Sequence, residues 1–392
     1  MRVLIESNDP QKMDVCIITM PLQTRSGSYY TIINNFIRIL SPLVNKIFLI
    51  TSNFSEDIDS SGKINIIDLN LPPLERENIL SKTVYLIDAQ IRASLCLIRN
   101  YKHFTGPVFI LSGALILPVI TGRALRKTSL LTAVASGSTN ACMIYESAPF
   151  YKKYYYYLTN RLLEMLTFNA AQYIGVESPH VALFMGLPLK KVIGNGHLFV
   201  LNNNFKKTCN FADRPYYIGY IGRLSREKGI QQFVRALPTI LGDRQGLRAL
   251  IGGGGELKEM VEVSLQEEAL TDRVDFLGWI PHDDLPKYIN RLRLLVLPSY
   301  TEGLPNIVLE AMACGTPVLA TPVGAIPDII IDGRTGFIME NSSPDCIVAN
   351  VHRALNSPEL ELIAENGKRF VEENFTYERT VENWRSILQK IE

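Results

Sequence analysis

Glu302 and Glu310 stand eight residues apart in the segment from Leu297 to Gly315. If the intervening stretch were all helix, eight residues at ~1.5 Å each would separate them by about 12 Å. The carboxylate pairs of glycosidases stand roughly 5–9.5 Å apart, so the spacing argues against hydrolysis by this pair. It fits two carboxylates accepting hydroxyl hydrogen bonds from different parts of one extended ligand; a surface loop with two solvated glutamates is the alternative. A strand ends at Pro298, and Pro305 falls in the first turn of the next helix, where its missing N–H costs nothing. Gly315 closes that helix. Glu302 is therefore expected in a loop above a sheet, with Glu310 further along the helix.

Gly219 to Gly229 leaves a strand through glycines and brings Arg223 and Lys228 to a helix start. Amide N–H groups, the helix dipole and fixed cations together suit a diphosphate; a solvated loop with incidental charges is the bland reading. Gly252 to Gly255 also follows a strand and opens a helix. A lone GxG is a weak dinucleotide fingerprint. The acidic residues that follow, Asp272 and Asp275, lie at the entry of the next strand rather than at its end, where a dehydrogenase needs one. The loop reads as a close backbone approach to a ligand and not as an NAD site.

These segments need a scaffold, and the hydrophobic pattern supplies one. Short apolar runs at 14–19, 46–51, 63–69, 108–111 and 129–134 alternate with helical patterns such as 29–40. The second half continues with 216–221, 247–251, 274–277, 294–297 and 317–320. Strands alternating with helices imply βαβ units and parallel sheets covered on both faces. Residues 201–215 are Asn-rich, polar and without period, so a linker there divides the chain into two α/β halves. Ligands of such sheets sit outside the carboxyl ends of the strands.

Length agrees: 392 residues exceed one ordinary core at roughly 100–200 residues per domain. With 47% hydrophobic and 20% charged residues the chain is globular rather than disordered. A net charge of +1 excludes a nucleic-acid-binding polycation. The halves differ, however: 19 basic and 13 acidic residues in 1–200 against 21 and 26 in 201–392. The six cysteines are scattered without CxxC or Cys/His clustering, which points to no zinc site, no disulfide framework and a reducing cytoplasm. Cys142 and Cys314 read as small buried hydrophobes. No signal peptide is expected, because Glu6, Asp9 and Asp14 interrupt the first apolar residues. The uncharged stretch 104–122 is broken by Gly106, Pro107, Gly113, Pro118 and Gly122, and reads as strand, turn and short helix rather than a membrane span.

From Tyr217 to Phe375 the ordered motifs resemble the retaining GT-B glycosyltransferases of the glycogen-synthase-like group, family 4, also described as glycosyl transferases group 1. The motifs are the G-R-L-x(3)-K-G element at Gly222 to Gly229, the glycine loop at Gly252, Phe276-Leu-Gly-Trp-Ile280, the E-x7-E element from Glu302 to Glu310, and Gly324-x(3)-Asp328 with Gly333-x(2)-Gly336. The first half matches loosely, through Gly175-Val-Glu-Ser178 and Gly194-Asn-Gly196. The resemblance implies two Rossmann-like doubly wound domains facing a central cleft: 1–203 on the acceptor side, 204–375 binding the nucleotide sugar, and a helix at 376–392 crossing back to the first domain. It implies transfer of a sugar from a nucleoside diphosphate to an acceptor hydroxyl with retention, with no cofactor and no metal. Arg223 and Lys228 would hold the diphosphate and stabilise it as a leaving group. Glu302 would accept from the donor sugar, and Glu310 from the ribose. Gly303, Leu304 and Asn306 would meet the sugar or β-phosphate, beside Gly222, Gly252 and Gly254, and the backbone of Trp279 and Ile280 would read the base. Gly27, in Arg25-Ser-Gly-Ser28, stands where the family has a glycine-rich phosphate loop.

The chain departs from the family where many members carry a cleft histidine. Ala135-Ser136-Gly137 and Ser112-Gly113 occupy those places, which makes Ser136 and Gly137 the acceptor-side candidates. The five histidines, His103, His180, His197, His282 and His352, read as structural, since no paired carboxylate accompanies them. The departure leaves open a catalytically weak nucleotide-sugar-binding subunit needing a partner; a sugar-nucleotide epimerase is a further alternative. Residues 149–161 mix Tyr, Phe, Lys and Arg, a composition suited to peripheral contact with the cytoplasmic membrane face and a lipid-linked or glycan acceptor; an amphipathic helix packing its tyrosines on the sheet is the alternative.

Overall fold

A computed structural model of the protein describes residues 13–22, 28–54, 62–73, 79–133, 149–194, 198–200, 204–242 and 246–391. The aliphatic runs form two sheets in which every described pairing is parallel. The first comprises β1 (Asp14–Ile18), β2 (Lys46–Thr51), β3 (Ile64–Asp68), β4 (Val108–Ile110), β5 (Ser129–Ala133), β6 (Tyr173–Val176) and β7 (Val192–Gly194), in the order β3-β2-β1-β4-β5-β6-β7. The second comprises β8 (Ile218–Ile221), β9 (Ala249–Gly252), β10 (Val274–Gly278), β11 (Leu295–Leu297), β12 (Val318–Ala320) and β13 (Phe337–Ile338), in the order β10-β9-β8-β11-β12-β13. The architecture is α/β and doubly wound. β6 starts two residues before the Gly175–Ser178 segment, and β7 ends at Gly194, with Asn195 and Gly196 outside the described residues. β13, two residues long, carries no periodicity that could announce it.

The helices of the first half are α1 (Ser28–Leu40), α2 (Ile79–Asn100), α3 (Ile116–Ala124), α4 (Phe150–Ala170) and α5 (Pro179–Met185). Those of the second half are α6 (Ile230–Gly242), α7 (Lys258–Glu267), α8 (Leu285–Ile289), α9 (Asn306–Ala313), α10 (Ile326–Ile329), α11 (Pro344–Leu355), α12 (Leu360–Asn374) and α13 (Tyr377–Ile391). Apolar positions spaced three and four apart give α1, α6 and α11 one buried stripe each. The 104–122 stretch forms β4 and most of α3, with Val108, Ile110, Leu115 and Val119 in the core. Among the described residues no helix is long and apolar enough to cross a membrane.

α13 returns to the first sheet. Trp384 is fully buried there, its ring 4.7 Å from Phe36 of α1 and 5.8 Å from Phe109 of β4. Such a side chain is worth about 3–5 kcal/mol against alanine. At the end of the 201–215 linker the buried Arg214 donates to the carbonyls of Leu292 (2.8 Å) and Cys314 (3.0 Å) and to Thr316 Oγ1 (2.6 Å), which ties the linker to the elements around the second sheet. Cys16 and Cys314 are buried, and burial pushes the Cys314 thiol up to about 12; Cys142 lies outside the described residues.

Candidate functional site

The order of the second sheet reverses between β8 and β11. Two loops leave the carboxyl ends of neighbouring strands there, the place in an open α/β sheet where ligands bind. One loop, after β8, carries Gly222, Arg223 and Lys228; the other, after β11, carries Glu302 to Leu304. Lys228 Nζ donates to Glu302 Oε2 at 2.6 Å, and Ser299 Oγ donates to Glu302 Oε1 at 2.7 Å. The Glu302 side chain is nearly buried, so its charge is met by Lys228 rather than by water. A carboxylate offers about four acceptor positions, which leaves Glu302 able to take a hydroxyl as well. Arg223, largely exposed, lies 3.7 Å from the carboxylate of Glu227.

The two loops are pinned to each other through backbone. Tyr300 N–H donates to the carbonyl of Glu227 at 2.9 Å. Gly229 has φ +70°, and a Cβ there would stand 2.0 Å from the carbonyl oxygen of Pro298. Only glycine fits both the conformation and the approach. The segment Arg226–Lys228 is a single 3-10 turn followed by Gly229, so Lys228 stands just before the start of α6.

Pro305 is the N-cap of α9 and not a first-turn residue, and it offers no side-chain cap. The amides of Asn306 and Ile307 thus open α9 toward the Glu302–Leu304 loop, an arrangement suited to anions. Leu304 is buried; Gly303 and Asn306 are partly exposed.

The glycine loop after β9 packs closely on the cation-bearing loop after β8. A Cβ on Gly253 (φ +138°) would lie 1.8 Å from the carbonyl oxygen of Gly222, and one on Gly252 would meet Ile280 at 2.5 Å. Leu224 N–H donates to the carbonyl of Gly254 at 2.9 Å. The close approach is made by the Gly222–Leu224 backbone, so these glycines seat the cation-bearing loop. After β10, Ile280 is buried and Trp279 is 72% exposed, an indole left open at the rim.

Glu310 lies in the second turn of α9 and accepts from or shares a proton with His282 Nε2 at 2.8 Å. That hydrogen bond raises the His282 pKa above its ordinary value against the opposing effect of burial. The His282 ring stands 5.3 Å from Phe205. Both residues line a cavity of about 320 Å³ whose other wall is α1, through Asn34, Asn35 and Arg38. The cavity lies between the two domains. His180 likewise has a carboxylate partner: its backbone N–H donates to Asp328 Oδ2 at 3.0 Å and its ring contacts Oδ1. Burial pushes the Asp328 pKa up, but hydrogen bonds from Ser178 and His180 outweigh it and hold the carboxyl below its usual range. The reading of His180 and His282 as unaccompanied is therefore corrected. Sequence separations of 28 and 148 residues hid both pairs; the position of His282 just past the carboxyl end of β10 was the available signal.

Gly27, Ser136, Gly137 and His197 lie outside the described residues. Ser112 Oγ accepts from Ala114 N–H at 3.2 Å, a local turn. Residues 149–161 open α4, and of their tyrosines only Tyr156 is buried, so the tyrosines do not pack on the sheet as a set. Among the described residues no three His, Cys, Asp or Glu side chains converge as a metal would require.

Residues 202–370 match the model of a family described as glycosyl transferases group 1. An uncharacterized glycosyltransferase of Methanocaldococcus jannaschii is 32% identical over 176 residues, 45% of each chain. A capsular polysaccharide biosynthesis glycosyltransferase of Staphylococcus aureus is 30% identical over 190 residues, 45% of this chain and 47% of that one. The matched region spans about half the length of these curated relatives. Solved structures align over nearly the whole chain. Sucrose-phosphate synthase from Thermosynechococcus elongatus superposes with TM-score 0.79 at 21% identity, covering 96% of this chain and 98% of that one. HepE of Anabaena in complex with UDP-glucose gives TM-score 0.71 at 15% identity, covering 96% and 100%. These likenesses show a GT-B fold.

Proposed function

Because residues 202–370 match the model of the glycosyl transferases group 1 family, we propose that the chain transfers a hexosyl group from a nucleoside diphosphate to an acceptor hydroxyl, with retention at the anomeric carbon. The observation that carries this reading is the Lys228–Glu302 pair at the β8/β11 crevice, beside the N-terminus of α9. Lys228, Arg223 and the α9 amides bind the diphosphate and stabilise the charge that develops as it leaves. Glu302, held by Lys228 and Ser299, accepts from a hydroxyl of the donor sugar. Glu310 accepts from the ribose, in which case His282 must share or yield that carboxylate. The bond from the anomeric carbon to the phosphate oxygen breaks while the acceptor oxygen bonds on the same face. The acceptor proton passes to the departing phosphate oxygen, so no protein base is required.

The acceptor is a glycan or lipid-linked glycan entering from the first domain, with peripheral membrane contact through residues 149–161. The test is a thermal-shift panel of UDP- and GDP-sugars, followed by transfer with the stabilising donor and assignment of the product anomer by NMR. Stabilisation grows as the logarithm of ligand concentration over its dissociation constant, so one donor should stand out. If no nucleotide sugar stabilises the chain the reading fails, and an inverted anomer removes retention.

A further inference from the structure

α2 carries most of its large aliphatic side chains on the outside. Its sheet-facing side carries Ala89, Gln90, Ala93, Ser94 and Leu97, all buried. Its solvent side carries Leu80, Val84, Ile87, Ile91, Leu95 and Ile98, exposed by 45–73%. Steps of four, three, four, four and three keep those six on one stripe, about 27 Å long at ~1.5 Å per residue. α4 buries Tyr156, Glu164, Thr167 and Phe168, yet Tyr151, Tyr154, Leu158, Leu162 and Met165 are exposed. Leu117 and Ile120 of α3 are exposed as well.

The three stripes share one surface. The crossovers β3→β4, β4→β5 and β5→β6 advance in the same direction across the sheet, so right-handed connections put α2, α3 and α4 on one face. The β1→β2 crossover runs the other way and puts α1, with α13, on the opposite face. α2 packs on α3 and α3 on α4, and Thr83 Oγ1 meets Tyr155 OH at 2.8 Å between α2 and α4. Of 22 large apolar side chains exposed among the described residues, 15 lie on these three helices. Concentration on that scale marks an interface rather than scattered surface residues.

We propose that the outer face of α2, α3 and α4 docks on an anionic lipid bilayer. Charge selects this occupant. The three helices carry seven Lys and Arg against Asp88 and Glu164. Asp88 is bridged to Arg92 at 2.9 Å and Glu164 is buried, so the face presents positive charge around its apolar stripes. A second copy in a two-fold dimer would set that charge against itself. Acidic headgroups answer the cations, aliphatic side chains enter the acyl boundary, and the aromatic start of α4, with Phe150 and Tyr154 rings 4.1 Å apart, sits at headgroup level. The proposal deepens the membrane contact of residues 149–161 and rests on that reading; its new content is that α2 and α3 share the contact, which fixes how the cleft faces the membrane.

The test is vesicle flotation of the full chain with phosphatidylcholine alone and with added phosphatidylglycerol, at low and high salt. Two variants accompany it, Ile87→Glu/Leu95→Glu on α2 and Tyr154→Glu/Leu162→Glu on α4. The expected result is salt-sensitive binding to the acidic vesicles, reduced about tenfold or more by either variant, with nucleotide-induced thermal stabilisation unchanged as evidence of folding. Loss in the α4 variant alone would overturn the three-helix surface and leave the contact of 149–161 standing. Absence of binding by the unaltered chain would remove both. A dimer in sedimentation that the α2 variant dissociates would assign the face to a second copy and overturn the proposal.

Discussion

In both sheets the strand order reverses beside the domain's first strand, between β1 and β4 in one and between β8 and β11 in the other. Above β8 and β11 the loops are locked by backbone bonds, by glycines against carbonyls and by a nearly buried ammonium–carboxylate pair. Among the described residues the first domain stands out on an outer helical layer. Only four of the 22 exposed large apolar side chains belong to the second domain, Val263, Trp279, Ile331 and Leu362. One architecture thus differs in two places: the polar site is held by contacts between loops distant in sequence, whereas the outer face of α2, α3 and α4 is distinguished by surface composition.

The largest effect that would sharpen this contrast is on turnover. Lys228→Ala should lower kcat about 10²–10³-fold, the usual cost of removing one fixed donor from a developing negative charge, in a radiolabelled transfer assay. A loss under about threefold would break the claim that the second domain holds the leaving group. Next comes stability. Trp384→Ala should cost about 3–5 kcal/mol in urea denaturation, because α13 completes the core of the first domain. A loss below about 1 kcal/mol would detach that helix from the core.

Two glycines with nearly equal positive φ compare the domains directly. Gly186 (φ +64°) ends α5 with open space around it, whereas Gly229 (φ +70°) abuts Pro298. Gly186→Ala should cost about 1 kcal/mol, the intrinsic penalty of the left-handed region. Gly229→Ala should cost more, by about 1–3 kcal/mol of added strain. Equal losses in thermal unfolding would mean that the loop after β8 is free to move.

The smallest effect is on pH. The His282 pKa is raised in the folded chain, chiefly by its hydrogen bond to Glu310. The pair therefore adds stability that is fully present below about pH 6.5, the unfolded value, and is lost as pH rises through the higher folded value. His282 is half exposed, so solvent screening keeps the contribution below about 1 kcal/mol. Melting followed from pH 5.5 to 8.5 should show a slope that His282→Gln removes. An unchanged slope would deny the pair.

The sequence made the second domain more legible than the first for a physical reason. Pro298, Pro305 and Gly315 punctuate a strand, a loop and a helix within twenty residues, so Glu302 and Glu310 could be placed from local rules. The partners of Glu302 and Glu310, Lys228 and His282, come from other loops, and only the strand order brings them together. At Gly252–Gly255 a close approach was legible from sequence, while the neighbour that the structure shows there, the Gly222–Leu224 backbone, was not. The exposed stripe of α2 was hidden because its spacing is that of a buried one; which side faces the sheet is decided by packing.

The central claim is that the β8/β11 crevice grips a nucleoside diphosphate through Arg223 and Lys228. Isothermal titration of UDP and GDP into the unaltered chain and into Arg223→Ala/Lys228→Ala tests it most directly. One nucleotide should bind the unaltered chain, and the double variant should lose about 100-fold or more in affinity, as expected for charge-assisted contacts worth roughly 1.5–3 kcal/mol each. Equal affinity in the two proteins would contradict the account.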